Sequence, residues 1–179
     1  MLFEAFLSCQ PKVETAIYQF VWDTIPGRSG RKTKVRLTSH IEIKKLSQKV
    51  RREVHRMKGF IRFEQTGGDR YLALIAPQYD VLPLVRRHFE ARFSDQSWII
   101  YDTLRNYGLC YDRSQTRELR LDAAELKSIR NNETVGEELC QNLWQRYYAA
   151  VNIPQRDNPK LHLRQLPRRY WRYLPEKQV

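Results

Sequence analysis

Ser97-Trp-Ile-Ile-Tyr-Asp-Thr-Leu-Arg-Asn-Tyr-Gly-Leu-Cys-Tyr-Asp112 is the stretch that decides the fold class. Ser97–Asp102 and Tyr107–Asp112 are short and rich in aromatic and β-branched residues, and they flank a turn at Thr103-Leu-Arg-Asn106. That pattern predicts a β-hairpin. Upstream, Phe60–Thr66 and Arg70–Ala76 flank Gly67-Gly68-Asp69, which predicts another hairpin. Ile61 and Phe63 alternate with Arg62 and Glu64, so the first strand should have one packed face and one wet face. Tyr71 to Ile75 are apolar at every position, so the second strand should be more central, and Pro77 closes it.

Helical spacing fills the rest. Val13, Ala16, Ile17, Phe20 and Val21 predict a helix over 12–22, with Pro11 suited to its first turn. Residues 24–38 carry Pro26, Gly27 and Gly30 and are expected to form a basic loop. Ser39-His-Ile-Glu42 reads as a capping box opening a helix to about Lys58, ended by Gly59. Ile43, Leu46, Val50, Val54 and Met57 form one face of it, and cations stand between them. Asp80 suits the cap of a helix to Phe93, Asp122-Ala-Ala-Glu125 opens a short helix, and Thr134-Val-Gly-Glu137 opens one to about Val151. The face of this last helix is Cys140, Leu143 and Trp144, Tyr147 and Val151. From Pro154 onward, four prolines preclude one long helix. An extended tail is expected there, anchored by aromatic residues, with a turn of helix at Arg169–Leu174. The fold class is therefore α+β: a single domain over 1–179, with a four-stranded, mostly antiparallel sheet from two hairpins. Helices pack on the sheet, and the tail (about 154–179) wraps the domain.

The composition sets the functional frame. The 179 residues have a net charge of +12, and 41% of them are hydrophobic. That apolar content excludes a disordered chain, and the charge fits a polyanionic partner, most simply nucleic acid. Residues 31–58 alone hold eleven Lys/Arg against two Glu. Only Cys9, Cys110 and Cys140 are present, without a CxxC, and the four histidines show no HxxxH or HExxH spacing. Neither a disulfide framework nor a zinc or iron–sulfur site is expected, and no cofactor is implied. The longest wholly apolar run, Leu72–Ala76, is far too short to span a bilayer, so a cytoplasmic protein is expected.

Several separated blocks carry a likeness. They are Val50-Arg-Arg-Glu-Val-His-Arg-Met-Lys-Gly-Phe-Ile-Arg-Phe63; Ile75-Ala-Pro-Gln-Tyr-Asp-Val-Leu-Pro-Leu84 with His88-Phe-Glu-Ala-Arg-Phe93; and Trp98-Ile-Ile-Tyr-Asp102. Leu143-Trp-Gln-Arg-Tyr147, Arg156-Asp-Asn-Pro-Lys160 and Pro167-Arg-Arg-Tyr-Trp-Arg-Tyr-Leu-Pro-Glu176 complete the set. Together, over roughly residues 6–177, the chain resembles a bacterial family of unknown function described as DNA metabolism proteins. The resemblance implies a setting beside a radical-SAM DNA modification or repair protein. Some longer relatives are fused to a uracil-DNA-glycosylase-like domain. Neither that extension nor its Gly-Gln-Asp-Pro-Tyr motif is found here, and the N-terminus looks shorter than the family's. The resemblance assigns no catalytic residues.

The residues themselves offer two nucleic-acid surfaces. Lys45, Lys49, Arg51, Arg52, Arg56 and Lys58 stand at successive turns of the basic helix and could track phosphates. A solvated helix face is the plain alternative, and Glu53 is expected to pair locally with Arg56 or a neighbouring Lys. In the tail, Arg168, Arg169, Tyr170 and Trp171 combine guanidinium groups with stacking rings, the chemistry of single-strand or flipped-base binding. The same rings could instead anchor the tail. Arg156, Asp157 and Lys160 form a polar cluster before a proline turn that either joins this site or fixes the loop.

Catalytic signals are weak. His88 falls on a mostly apolar helix face, the ordinary place of a hydrogen-bonded core histidine. Asp102 ends a strand but also suits the following turn, and Asp157 would act with Arg169. No catalytic motif is recognisable. Three functions remain: a DNA-repair or modification accessory that binds nucleic acid beside a radical-SAM partner, an enzyme acting directly on DNA or nucleotides, or an interaction module docking an acidic protein.

Overall fold

Five strands form one sheet in the order β1-β2-β3-β4-β5: Glu64–Gln65, Arg70–Ile75, Ser97–Asp102, Tyr107–Tyr111 and Thr116–Leu119. The helices are α1 (Leu2–Phe6), α2 (Val13–Thr24), α3 (Thr33–Phe60), α4 (Leu82–Arg92), α5 (Ala123–Asn131), α6 (Glu137–Val151) and α7 (Pro159–Gln165). Two short 3-10 helices follow, Arg168–Tyr173 and Pro175–Lys177. This computed structural model describes residues 1–25, 33–67, 69–131, 137–151 and 158–178. The chain divides into two units, Met1–Lys58 with Pro77–Val85 and Gly59–Ala76 with Arg86–Val179.

The α+β reading holds, and the sheet differs in detail. Both predicted hairpins are present, β1 antiparallel to β2 and β3 antiparallel to β4, but of the expected Phe60–Thr66 strand only Glu64–Gln65 is paired as strand, and Phe60 belongs to α3. The two hairpins meet through β2 and β3, which run parallel, with Leu72 opposite Ile99 and Leu74 opposite Tyr101. A parallel pair needs a long crossover, and α4 lies within it. The fifth strand, β5, pairs antiparallel with β4, so the expected four strands are corrected to five. It is hard to read because it is a four-residue edge strand with Arg117 and Glu118 exposed. The turn before it is built by Asp112, whose Oδ1 accepts from the backbone N–H groups of Ser114 and Gln115 at 3.0 and 2.9 Å. With the Ser114 hydroxyl leading these donors, the Asp112 carboxyl is held down to about 2. Arg113 takes a left-handed φ of 73° in that turn.

In the sheet-bearing unit, Trp98 and Tyr111 stack across β3 and β4 at 5.2 Å between ring centroids. Phe63 and Phe89 meet Trp98 in tilted and edge-on contacts, and Phe93 packs edge-on against Phe63 and stacks on Phe89. On the alternate face, Tyr101 lies over Gly108, and its hydroxyl donates to Leu121 O at 2.9 Å. The Asp122-to-Glu125 box is realised reciprocally: each side chain accepts from the other's backbone N–H, at 2.7 and 2.8 Å.

In the other unit, Ala5, Val13 and Ile43 form a buried cluster, lined by Leu2, Ala16, Ile17, Phe20 and Leu46. The capping box at Ser39 does not open α3, which already runs from Thr33. Lys34, Arg36 and Leu37 are good helix formers and carry the helix backward past it. Gly59 does not stop it either, since α3 ends at Phe60 and one glycine costs a helix only about 1 kcal/mol. The Pro26–Gly30 part of the expected loop lies outside the described residues, as does the Thr134 cap.

Among the described residues of the tail, from 158 onward, the chain is helical rather than extended. Each of its later prolines starts a helix instead of breaking one: Pro159 and Pro175 sit in first turns, and Pro167 is an N-cap. A first-turn proline lacks only an N–H that would have no helical partner. Asn158 caps α7 by accepting from Leu161 N at 3.0 Å.

Candidate nucleic-acid interface

Helix α3 is oriented by what it buries. Ile43, Val50 and Met57 are at most 2% exposed. Each such side chain contributes about 1.5–3 kcal/mol, against a few tenths for a surface ion pair on a helix. Packing therefore fixes which way the helix faces, and the cations take the remaining side. Lys45, Lys49, Arg52 and Arg56 fall at i, i+4, i+7 and i+11, a stripe about 16 Å long. Lys44, Lys45, Lys49, Arg52 and Lys58 are exposed, and none of them is in an ion pair among the described residues.

Two of the predicted cations are partly engaged. Arg51 Nε lies 2.7 Å from Glu4 Oε1. Partial burial pushes the Glu4 carboxyl up, but Arg51 and the Ser47 hydroxyl outweigh it and hold it down to about 2. Glu4 in turn raises the Arg51 guanidinium above its ordinary range. Arg56 Nη1 is 3.9 Å from Oε2 of Glu53, so the expected local pair forms. Glu53 does more than that: it is 1% exposed, and its Oε1 accepts from Gln78 N at 2.8 Å. It fixes the Pro77–Val85 segment of the same unit to the helix.

The tail residues divide by role. Tyr170 is buried against Phe60, at 5.5 Å between ring centroids, and its hydroxyl accepts from Arg169 Nη2 at 2.6 Å. Its ring is an anchor, and stacking is left to Trp171. The half-buried Trp171 donates from Nε1 to Leu166 O at 3.1 Å. The Arg168 guanidinium and Lys177 ammonium lie 5.7 and 5.6 Å from its ring centroid. Lys160 is exposed on α7. Arg156 and Asp157 lie outside the described residues.

The catalytic candidates are occupied. Asp102 is fully buried, and its Oδ1 accepts from Leu104 N and Arg105 N at 2.9 and 3.3 Å. Its Oδ2 takes Arg105 Nη1 at 2.7 Å. This carboxylate builds the β3–β4 turn, with Asn106 at a φ of 53°. His88 is half-buried and edge-on to Phe89 at 5.1 Å. Among the described residues no His, Cys, Asp and Glu cluster could hold a metal, and no helix is long and apolar enough to cross a membrane.

The sequence places Trp144 and Tyr147 on an apolar helix face and Arg62 on the wet side of a strand, but it offers none of them, nor Tyr148 or Lys177, as site residues. They gather in the sheet-bearing unit, where Arg62 Nη2 pairs with Glu176 Oε1 at 2.9 Å. The only sequence signal was the apolar spacing along α6, which looks the same whether a face is covered or bare.

No curated protein and no solved structure matches this chain. A family profile matches residues 11–176, which include the basic stripe, the sheet and the tail. The chain therefore belongs to the family described as a domain of unknown function, DUF4130.

Proposed function

We propose that this protein is a DNA-metabolism accessory that binds nucleic acid through the basic face of α3 and acts with a radical-SAM partner in repair or modification. The stripe on α3 carries the reading. Lys45, Lys49 and Arg52 are exposed along one side of the helix with no ion pair among the described residues, and Arg56, half-buried beside Glu53, continues the line, an arrangement that exchanges condensed counterions for phosphate contacts. The partner rests on the family resemblance of the sequence blocks. The buried, turn-building Asp102 favours a binding role over direct catalysis.

Fluorescence anisotropy with a labelled 20-mer duplex at several salt concentrations tests the proposal. Affinity should fall steeply with salt, and Lys45→Glu with Lys49→Glu and Arg52→Glu should abolish binding while leaving the fold intact by circular dichroism. Salt-independent binding, or full binding by the triple variant, would refute it. Co-purification with the radical-SAM neighbour tests the partnership separately.

A further inference from the structure

We infer that the Trp144–Tyr147 face of α6 is a stacking platform for unpaired bases, so that the ligand is nucleic acid with single-stranded character. This rests on the nucleic-acid reading above and names its substrate class. Trp144 and Tyr147 are one turn apart on α6, with ring centroids 5.7 Å apart and planes 31° from parallel. They remain 40% and 58% exposed. An exposed tryptophan is usually free to swing, and this one is held. Its indole N–H donates to Glu176 Oε2 at 3.0 Å, and the Arg62 guanidinium, itself paired with Glu176, sits 5.7 Å from its ring centroid. Gln145 in the same helix donates to Pro175 O at 3.0 Å. A fixed ring loses little entropy when a flat partner lands on it.

The surroundings choose the partner. Between Gln141 and Gln178 the chain carries eight Lys/Arg against Asp157 and Glu176. Glu176 is buried under Trp144, and Arg146, Lys160, Arg164, Arg168 and Arg172 are exposed. Lys177 lies 4.8 Å from the ring centroid of Tyr148 and 5.6 Å from that of Trp171. An exposed aromatic face with Arg62 and Lys177 at its rings, on a segment rich in exposed cations, complements a flexible strand offering bases and phosphates alternately. A hydrophobic protein partner or a second copy would have to seat apolar surface against the Arg62 and Lys177 cations that lie over Trp144 and Tyr148.

The test separates bases from phosphates. Binding of the full chain to a dT12 oligonucleotide is compared with a 12-mer of the same backbone made entirely of abasic residues. The chain should bind dT12 about 5-fold or more tightly than the abasic strand, the effect of one stacked base. Tyr147→Ala should erase most of that preference while duplex binding through α3 persists, and Tyr147→Phe should restore it. Tyr147 is chosen because Trp144 also holds Glu176, so its loss could disturb the fold. Equal affinity for the two strands, or a preference untouched by Tyr147→Ala, overturns the platform and leaves the duplex-binding reading standing. Absence of binding to every oligonucleotide overturns both. Self-association lost in Tyr147→Ala, without a base preference, would assign the face to a second copy and also overturn the inference.

Discussion

The indole N–H of Trp144 in α6 reaches Oε2 of Glu176, 32 residues later, at 3.0 Å. The other oxygen of that carboxylate takes Arg62 at 2.9 Å, so one buried acid ties α6 and the C-terminal turn to the segment leading into β1. Burial pushes the Glu176 carboxyl up, but its backbone N–H, Trp144 and Arg62 outweigh that and hold it below the ordinary range. Glu176→Ala should cost about 2–3 kcal/mol in urea unfolding, because the indole loses its acceptor and the guanidinium keeps only its bonds to Gly59 O and Ile61 O. Glu176→Gln keeps an acceptor for one of them and should cost less. Equal losses would show that the carboxylate's bonds are not the source.

Glu4 predicts a pH dependence. Its folded carboxyl is held at about 2, below the ordinary 4.5, and a depressed acid stabilises the fold wherever it is ionised in both states. The contribution should be complete above pH 4.5 and disappear as pH falls toward 2. Thermal unfolding of the wild type and Glu4→Gln should differ at pH 6, and the gap should narrow below pH 4.5 and close only as pH falls through about 2. A gap that stays constant over this range would exclude Glu4 as the titrating group.

Two glycines should respond oppositely to alanine. A Cβ on Gly108 would meet Ile100 O at 2.7 Å and Tyr101 Cδ2 at 2.9 Å, so Gly108→Ala should cost about 1–3 kcal/mol as the sheet shifts. At Gly59 in α3 a Cβ meets nothing within 4 Å, and Gly59→Ala should gain about 0.5–1 kcal/mol through helix propensity. Chemical denaturation of both variants checks the pair; a loss at Gly59 would mean its helical backbone needs glycine.

Neighbouring arginines should differ in binding. Arg52 is exposed with no ion pair among the described residues, whereas Arg51 must release Glu4 before it meets a phosphate. Arg52→Ala should reduce the slope of log affinity against log salt by about 1, and Arg51→Ala by less. Anisotropy titrations over a salt series measure both; a larger change for Arg51 would reverse the assignment of the contact face.

Local pattern made much of this molecule legible. The two hairpins follow from alternation and turn residues, and the α5 cap follows from Asp122 and Glu125 alone, because those bonds close within a few residues. The cationic side of α3 follows from the spacing of Ile43, Val50 and Met57. β5 stayed hidden because an exposed edge of four residues leaves little hydrophobic period. The tail misled because proline is a breaker inside a helix and a starter at its first turn, and composition does not say which.

What the sequence determined by itself is the two hairpins, most of the longer helices and the run of positive charge, since these depend on the order of residues along the chain. Tertiary structure alone decided that β2 and β3 run parallel, that Asp102 is fully buried, that Tyr170 is buried, and that Trp144 is held open beside Tyr147. Each of these depends on groups distant in sequence, or on which side chains end up covered, and amphipathic spacing reads the same for a packed face and an open one.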